Sequence, residues 1–138
     1  MHDREVHVGI TATRLGMSNR QIATLKAKLR AMQKSVCVVL HHGDCVGGDA
    51  QADDLAHRLG IQVVIHPADV PSDKRAYCKG ASVVHNPKPP LVRNRDIVNA
   101  VGIMFAGPRS KQEVLRSGTW ATVRYCYEVS RPLVMLQR

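Results

Sequence analysis

The chain has 138 residues, a length that suits one domain with a core of its own and is too short for two. Only 4% of the residues are aromatic, which argues against a protein that stacks nucleic-acid bases on an aromatic surface. Lys and Arg number 20 against 11 Asp and Glu, so the chain favours anionic partners such as phosphates, nucleotides or nucleic acid.

The four cysteines form no CxxC pair and match no zinc-ribbon spacing. Cys37, in an apolar run, and Cys126, in a helical pattern, are expected to behave as small buried hydrophobes. The N-terminus lacks the apolar core of a signal peptide, and no apolar run approaches the length that spans a membrane. A cytoplasmic location without membrane contact is therefore expected.

Short runs rich in β-branched residues alternate with helical patterns along the chain. They predict strands at residues 6–11, 36–40, 61–66, 101–106 and 132–136. Helices are predicted to begin at Ser18, where Gln21 completes a capping box, and to cover residues 49–59, 91–100 and 118–129. Gly60 suits the end of the second helix. Residues 67–90, with five prolines, are predicted to form a long loop.

This alternation predicts an α/β fold of Rossmann-like type, with a mainly parallel sheet of about five strands and helices on both faces. In such sheets, ligands bind beyond the carboxyl ends of the strands, where the N-termini of helices present free amides. The loops that follow the strands are therefore the places to look for a site.

The first such loop has the sequence GITATR. Its small residues let backbone amides approach a phosphate, and Arg14 can bind phosphate oxygens through its guanidinium. The loop is not the dinucleotide fingerprint GxGxxG, and the chain contains no P-loop motif. An ordinary tight turn between strand and helix is the alternative.

The second loop, HHGDCVGG, leads into a helix that starts near Asp49. Gly47 permits a close backbone approach, and Asp44 and Asp49 can accept hydrogen bonds from ribose hydroxyls or a base edge. Asp49 could equally act as a helix cap or dipole partner. Asp53 and His57 follow on the same helix face as Asp49.

A metal site built from His41, His42, Asp44 and Asp49 is conceivable. Their spacing matches no known set of metal ligands. Neither a metal nor a cofactor is therefore predicted.

Two further segments carry ligand-like residues. Arg93, Asn94 and Arg95 stand at a predicted helix start, where either arginine could hold a phosphate or simply be solvated. The segment RSGTWAT, residues 116–122, opens the last helix with hydroxyls, a glycine and free amides, which together make an anion cradle. Trp120 within it can pack on a base or cap the core.

Taken together and in this order, these segments resemble the SLOG superfamily, which includes the DNA-processing protein A family and the lonely-guy phosphoribohydrolases. GITATR is similar to the G-x-R strand end of the DNA-processing branch, and HHGDCVGGDAQADDLAHRLG to its SG-x-x-x-G-x-D-x-x-AH segment. VRNRDIVNAVGIMFAG resembles its RNR-x-I approach to the fourth strand, and RSGTWATVRYC its RSG[ST]-x-x-T helix start.

The resemblance implies a Rossmann-like fold whose crevice binds nucleotides, nucleotide-derived signals or nucleic-acid phosphates. Tyr125 stands where the phosphoribohydrolases carry a catalytic glutamate, so hydrolysis by their mechanism is not expected. The recombination role of DNA-processing proteins, which carry a further domain, is not expected either. With Trp120 added, the ligand-binding residues implied by position are Gly9, Thr11, Arg14, Gly43, Asp44, Gly47, Asp49, Arg93, Asn94, Ser117, Gly118, Thr119 and Thr122.

Three functions remain open. The first is a binding protein, as monomer or homo-oligomer, that senses or sequesters a nucleotide or nucleotide-derived signal such as a cyclic nucleotide or an ADP-ribose-like molecule. The second is a nucleotide-processing enzyme in which Asp44, Asp49 or Asp53 supplies the carboxylate. The third is a single-stranded nucleic-acid binder, whose affinity would fall steeply with salt.

Overall fold

The computed structural model describes residues 4–110 and 117–138 of the chain. Within these ranges the protein is an α/β fold built on one parallel sheet. Its strands are β1 (Glu5–Ala12), β2 (Cys37–His42), β3 (Gln62–Ile65), β4 (Val83–Val84), β5 (Ile103–Gly107) and β6 (Leu133–Met135). Its helices are α1 (Asn19–Gln33), α2 (Gly48–Arg58), α3 (Pro90–Ala100) and α4 (Gly118–Glu128).

The six strands lie in the order β4-β3-β2-β1-β5-β6, and every neighbouring pair is parallel. From β1 the chain builds outward through β2, β3 and β4, and then returns to place β5 on the other side of β1. The reversal point between β1 and β5 is where doubly wound sheets open a crevice. The Rossmann-like α/β class is confirmed, with six strands rather than about five.

Two separate hydrophobic clusters cover the two faces of the sheet. Leu25 of α1 and Leu55 of α2 pack in the first cluster together with Phe105. Ile97 of α3 and Cys126 of α4 pack in the second, together with Met104. Met104 and Phe105 are consecutive in β5, so they point to opposite faces. The predicted arrangement of helices on both faces is therefore confirmed.

Local signals place the first two helices where the sequence predicts them. The hydroxyl of Ser18 accepts from the Gln21 amide, and the Gln21 side chain accepts from the Ser18 amide, which completes the capping box. Gln21 is fully buried, and its side-chain amide also donates to the carbonyls of Pro108 and Leu136. Gly60 has a φ of 72°, the left-handed conformation expected just beyond the end of α2.

The segment between β3 and α3, predicted as a loop, contains β4, the one strand that the sequence does not predict. Val83 and Val84 extend the sheet by pairing with the last residues of β3. A short 3₁₀ turn, Ser72–Lys74, precedes them. Two residues are too few to show a periodic hydrophobic pattern, which is why the sequence gives no sign of this strand.

The expectation for the cysteines holds at one position and fails at the other. Cys126 is fully buried in α4. Cys37 is exposed, because it is the first residue of β2 and lies opposite the exposed Glu5 at the amino end of the sheet. Among the residues that the structure describes, no helix has the length and apolarity needed to cross a bilayer.

Candidate functional site

A crevice of about 480 Å³ opens over the carboxyl ends of β1 and β2, between α3 and the N-terminus of α4. It lies at the reversal point of the sheet. Most of the residues predicted for ligand binding line it: Thr11, Arg14, Gly43, Asp49, Arg93, Asn94, Ser117, Gly118, Thr119 and Thr122. Residues distant in sequence are thus brought together as expected. Arg116 of the same predicted motif lies outside the described residues.

The other four predicted residues do not line the crevice. Gly9 lies within β1, where a Cβ would collide with the Met104 side chain. Asp44 is buried, and its carboxylate accepts from Nε of Arg75 at 2.7 Å and from the Cys78 amide at 2.9 Å. It therefore anchors the segment that follows β3.

Gly47 and Trp120 also have other surroundings. Gly47 has a φ of 84°, and a Cβ there would strike the carbonyl group of Arg14, so this glycine lets the first two loops pack together. The Gly48 amide strengthens that packing by donating to the Thr13 carbonyl at 2.9 Å. Nε1 of Trp120 is buried without a hydrogen-bond partner in the described part of the chain.

The Asp49 side chain stabilises the loop between β2 and α2. Its Oδ2 accepts from the amides of Gly43 and Cys45, at 3.1 and 3.2 Å. The carboxylate also lies in the first turn of α2, where a negative charge is favourable. Of the two alternatives, the dipole partner is thus realised and the cap is not, since the N-cap residue is Gly47 and Asp49 makes no capping hydrogen bond. Asp49 also lines the crevice.

Arg93 is the most tightly held cation of the site, with 6% of its surface exposed. Its Nη1 donates to the carbonyls of Gly43 at 2.7 Å and His66 at 3.2 Å, which lie at the ends of two neighbouring strands. Its Nε donates to Oδ1 of Asn94, and the one partner of its Nη2 among the described residues is the Cys45 sulfur, at 3.6 Å. A sulfur is a weak acceptor, so Nη2 retains donor capacity.

Arg95 takes a different role from its neighbour in sequence. Its guanidinium lies over the Tyr125 ring, 5.0 Å from the ring centre, and it does not line the crevice. The Tyr125 hydroxyl donates to Asn99 at 3.0 Å. Tyr125, which stands at the position of the phosphoribohydrolase glutamate, thus contributes to the contact between α3 and α4.

The N-terminus of α4 faces the crevice with free amides. The Ser117 hydroxyl caps the Trp120 amide at 3.3 Å. The amides of Gly118 and Thr119 have no partner among the described residues, as is usual for the first turn of a helix. The Thr122 hydroxyl donates to the Gly118 carbonyl, so it supports the turn more than a ligand.

Sequence reasoning missed Cys45 and an apolar wall of the crevice. Cys45 lies between Arg93 and Asp49, and burial, followed by the Asp49 charge, raises the pKa of its thiol. The wall consists of Ile10, Leu15, Pro90, Ile97 and Met104. Ile10, Ile97 and Met104 belong to predicted strands and a predicted helix, where no sequence signal separates them from ordinary core residues. Leu15 and Pro90 are exposed and lie outside those elements.

The metal-ligand set considered from sequence is not assembled. His42, Asp53 and Cys78 instead bring one ligand atom each to within 4.8 Å of one another. Nδ1 of His42 accepts from the Asp44 amide, so the proton of the neutral ring is on Nε2, which lies 2.9 Å from Asp53. A metal at Nε2 would require the opposite tautomer, so the arrangement favours a hydrogen-bonded pair.

Four histidines form a row across neighbouring strands on the α3 face of the sheet, a feature that sequence reasoning missed. Nδ1 of His7 lies 2.7 Å from Nε2 of His41, and Nδ1 of His41 lies 2.8 Å from Nε2 of His66. The ring of His85 stacks on His66 with 4.5 Å between centres. Burial, followed by the neighbouring imidazoles, lowers the pKa of His41 to about 4 and that of His66 to about 3.

The chain reversal beside β1 and the crevice above it, lined by glycines, arginines and a helix N-terminus, define a Rossmann-like fold with a candidate binding site at the reversal point of the sheet. Comparison with solved structures agrees. The chain is similar to a molybdenum cofactor binding protein from Rippkaea orientalis, with a TM-score of 0.71, 14% identity, and coverage of 96% of this chain and 77% of the other.

Two other structures share the fold. DNA processing protein A from Streptococcus pneumoniae aligns with a TM-score of 0.65 and 18% identity over 94% of this chain and 50% of that protein. A Moco carrier protein from Chlamydomonas reinhardtii gives 0.62 and 18%, over 96% and 76%. The chain thus spans half the length of DNA processing protein A. No model of a known protein family matches the sequence, and neither does any curated protein.

Proposed function

We propose that the crevice binds a small molecule that bears a phosphate, a nucleotide or a nucleotide-derived compound, and that the protein senses or sequesters it. One observation carries this proposal. Arg93 is a buried guanidinium beside the crevice, and no carboxylate of the described residues lies within ion-pairing distance of it.

A buried charge must be hydrogen-bonded. Nη1 of Arg93 has two carbonyl acceptors, whereas Nη2 has only the weak sulfur acceptor in the described residues. A phosphate next to Nη2 would accept its remaining N–H groups and add a negative charge in direct contact with the guanidinium. The free amides of Gly118 and Thr119 would bind its other oxygens, as at other helix N-termini. Arg14, exposed at the rim, would add a second cation.

The rest of the ligand has a suitable surface. The apolar wall that includes Leu15, Pro90 and Ile97 offers contact to a flat ring, and Asp49 can accept a hydrogen bond from a hydroxyl group. Two of the similar structures are described as binding or carrying the molybdenum cofactor, which makes that cofactor a second candidate ligand.

The two remaining hypotheses differ in testable ways. Of the three carboxylates considered for catalysis, Asp44 and Asp53 lie outside the crevice lining, so an enzyme would have to use Asp49. Release of a base from adenosine monophosphate would support that hypothesis. A nucleic-acid binder would lose affinity for a single-stranded oligonucleotide steeply as salt rises.

The test starts from native mass spectrometry of the purified protein, which detects a ligand carried through purification and separates a nucleotide from the molybdenum cofactor. Calorimetry with ADP-ribose as the probe then compares Arg14→Ala with Arg30→Ala, which removes the same charge from the exposed face of α1. We expect about tenfold weaker binding for Arg14→Ala alone. Equal losses for both variants would mean diffuse electrostatic attraction and contradict a site in the crevice.

A further inference from the structure

A second cavity, of about 310 Å³, lies against an adjacent face of α3. It shares Arg93 with the crevice but has a different composition. The residues after β3 and β4 form one side of it and α3 forms the other: His66, Pro67, His85, Asn86 and Lys88 face Arg93, Asp96, Asn99 and Ala100. Neither the sequence motifs nor the proposed phosphate site accounts for it.

The histidine row ends at this cavity, and its hydrogen bonds have one direction. At the far end, Nε2 of His7 lies 3.0 Å from the Glu5 carboxylate. A carboxylate only accepts, so Nε2 of His7 carries a proton, and in the neutral form of the ring Nδ1 is the acceptor. Nε2 of His41 must then donate to it, which leaves Nδ1 of His41 as the acceptor for Nε2–H of His66.

His66 therefore presents a bare nitrogen. Its ring is neutral near pH 7, because burial and the neighbouring His41 lower its pKa to about 3. A neutral imidazole carries one proton, and in His66 that proton is on Nε2. Nδ1 has no protein partner in residues 4–110 and 117–138, and His66 lines the second cavity.

A second acceptor and a flat surface accompany this nitrogen. Asp96 binds Nζ of Lys88 at 2.9 Å through Oδ2, and its Oδ1 has no hydrogen-bond donor among the described residues, which leaves that oxygen for a ligand. His85 stacks on His66 with 25° between the ring planes, so the wall beside Nδ1 is aromatic and nearly flat. A planar ring that carries adjacent N–H groups would donate to these two acceptors while it packs against the flat wall.

We propose that the second cavity binds a planar nitrogen heterocycle through an edge of N–H donors, with Nδ1 of His66 and the Asp96 carboxylate as the acceptors. Such an edge occurs in guanine-like and aminopyrimidinone rings. The site is additional to the crevice and does not depend on a phosphate. The histidine row acts as a positioning element, because it keeps Nδ1 of His66 unprotonated.

The probe is isocytosine, which carries a ring N–H beside an exocyclic amine and no phosphate. We expect saturable binding, with a Kd of about 1 mM or tighter. Its ring-N-methylated analogue and the variant Asp96→Asn should each weaken binding about tenfold. Asp54→Asn is the matched control, since it makes the same change in an exposed ion pair with Arg58 on α2. Nitrogen-15 NMR should show the Nε2–H tautomer of His66 in the free protein and a shift of Nδ1 when isocytosine binds.

Isocytosine should still bind to Gly118→Ala, because this substitution obstructs the crevice and not the second cavity. The experiment therefore distinguishes a failure of this proposal from a failure of the proposed function. Three results would overturn this one: no saturable binding of isocytosine, equal binding of the methylated analogue, or an Nδ1–H tautomer of His66 in the free protein. Loss of isocytosine binding in Gly118→Ala would also overturn it, by placing the probe in the crevice.

Discussion

Gly118→Ala separates the stability of the fold from the binding of a phosphate. Gly118 is the first residue of α4, it has no positive φ, and a Cβ built on it meets no atom of the described residues within 4 Å. Because Gly118 lines the crevice, we expect the methyl group to narrow it. Replacing a helical glycine by alanine at a compatible position stabilises a protein by about 0.4–1 kcal/mol, so we expect a melting temperature equal to or a few degrees above that of the wild type.

Ligand binding should change in the opposite direction. A phosphate bound to the amides of Gly118 and Thr119 occupies the space that the methyl group would fill. Loss of one charge-assisted hydrogen bond costs about 1.5–3 kcal/mol, which corresponds to binding weaker by about 10- to 100-fold. Calorimetry with ADP-ribose measures the affinity, and thermal unfolding of the free protein measures the stability.

Gly102→Ala is the matched control. Gly102 precedes β5 at the amino edge of the sheet, where a Cβ would make only an ordinary contact, 3.9 Å from the His7 carbonyl oxygen. If Gly118→Ala binds ADP-ribose as tightly as Gly102→Ala does, the phosphate does not lie against the N-terminus of α4, and the reasoning is refuted.

Three further predictions concern stability. Arg93→Ala should lower the free energy of unfolding by about 2–4 kcal/mol in urea titrations, because two buried strand-end carbonyls lose their donor; an unchanged value would show that these hydrogen bonds contribute nothing. Asp44→Asn should speed hydrogen exchange in residues 72–80, which its carboxylate anchors, while exchange in α4 stays unchanged; uniform exchange would contradict that role. The pKa values of His41 and His66 in the folded state lie below the usual 6.5, so the unfolded chain binds more protons between about pH 6.5 and pH 3. The free energy of unfolding should therefore fall on acidification, by about 3 kcal/mol for each histidine by pH 4. Urea midpoints that do not change with pH would contradict the buried, neutral row.

Much of the fold could be predicted because its signals are local. Helix starts depend on caps such as Ser18, and buried strands are continuous apolar runs, so the alternation of strands and helices is visible in the sequence. Parallel topology then brings the loops after the strands to one edge, and most of the predicted site residues do line the crevice there. The short strand β4 was missed because two residues carry no period.

The partners of the polar side chains could not be predicted, because they depend on contacts between distant segments. Asp44 carries the same carboxylate as Asp49, yet one binds Arg75 across 31 residues and the other binds its own loop. Arg93 lines the crevice, but nothing local in the sequence shows that it also donates to two strand ends. The histidine row is invisible in the sequence for the same reason, since its members lie in or directly after four separate strands.

The outer edges of the sheet limit how copies of this chain can associate. β4 contributes two residues and β6 three, and the chain after β4 soon reaches Pro87, Pro89 and Pro90, whose nitrogens cannot donate hydrogen bonds. A sheet that ends in such short edges offers little template for adding another strand, so the protein is protected against the edge-to-edge aggregation that threatens open sheets. Dimerisation by pairing of sheet edges is therefore disfavoured, and light scattering of variants on the helix and loop surfaces would locate a dimer interface.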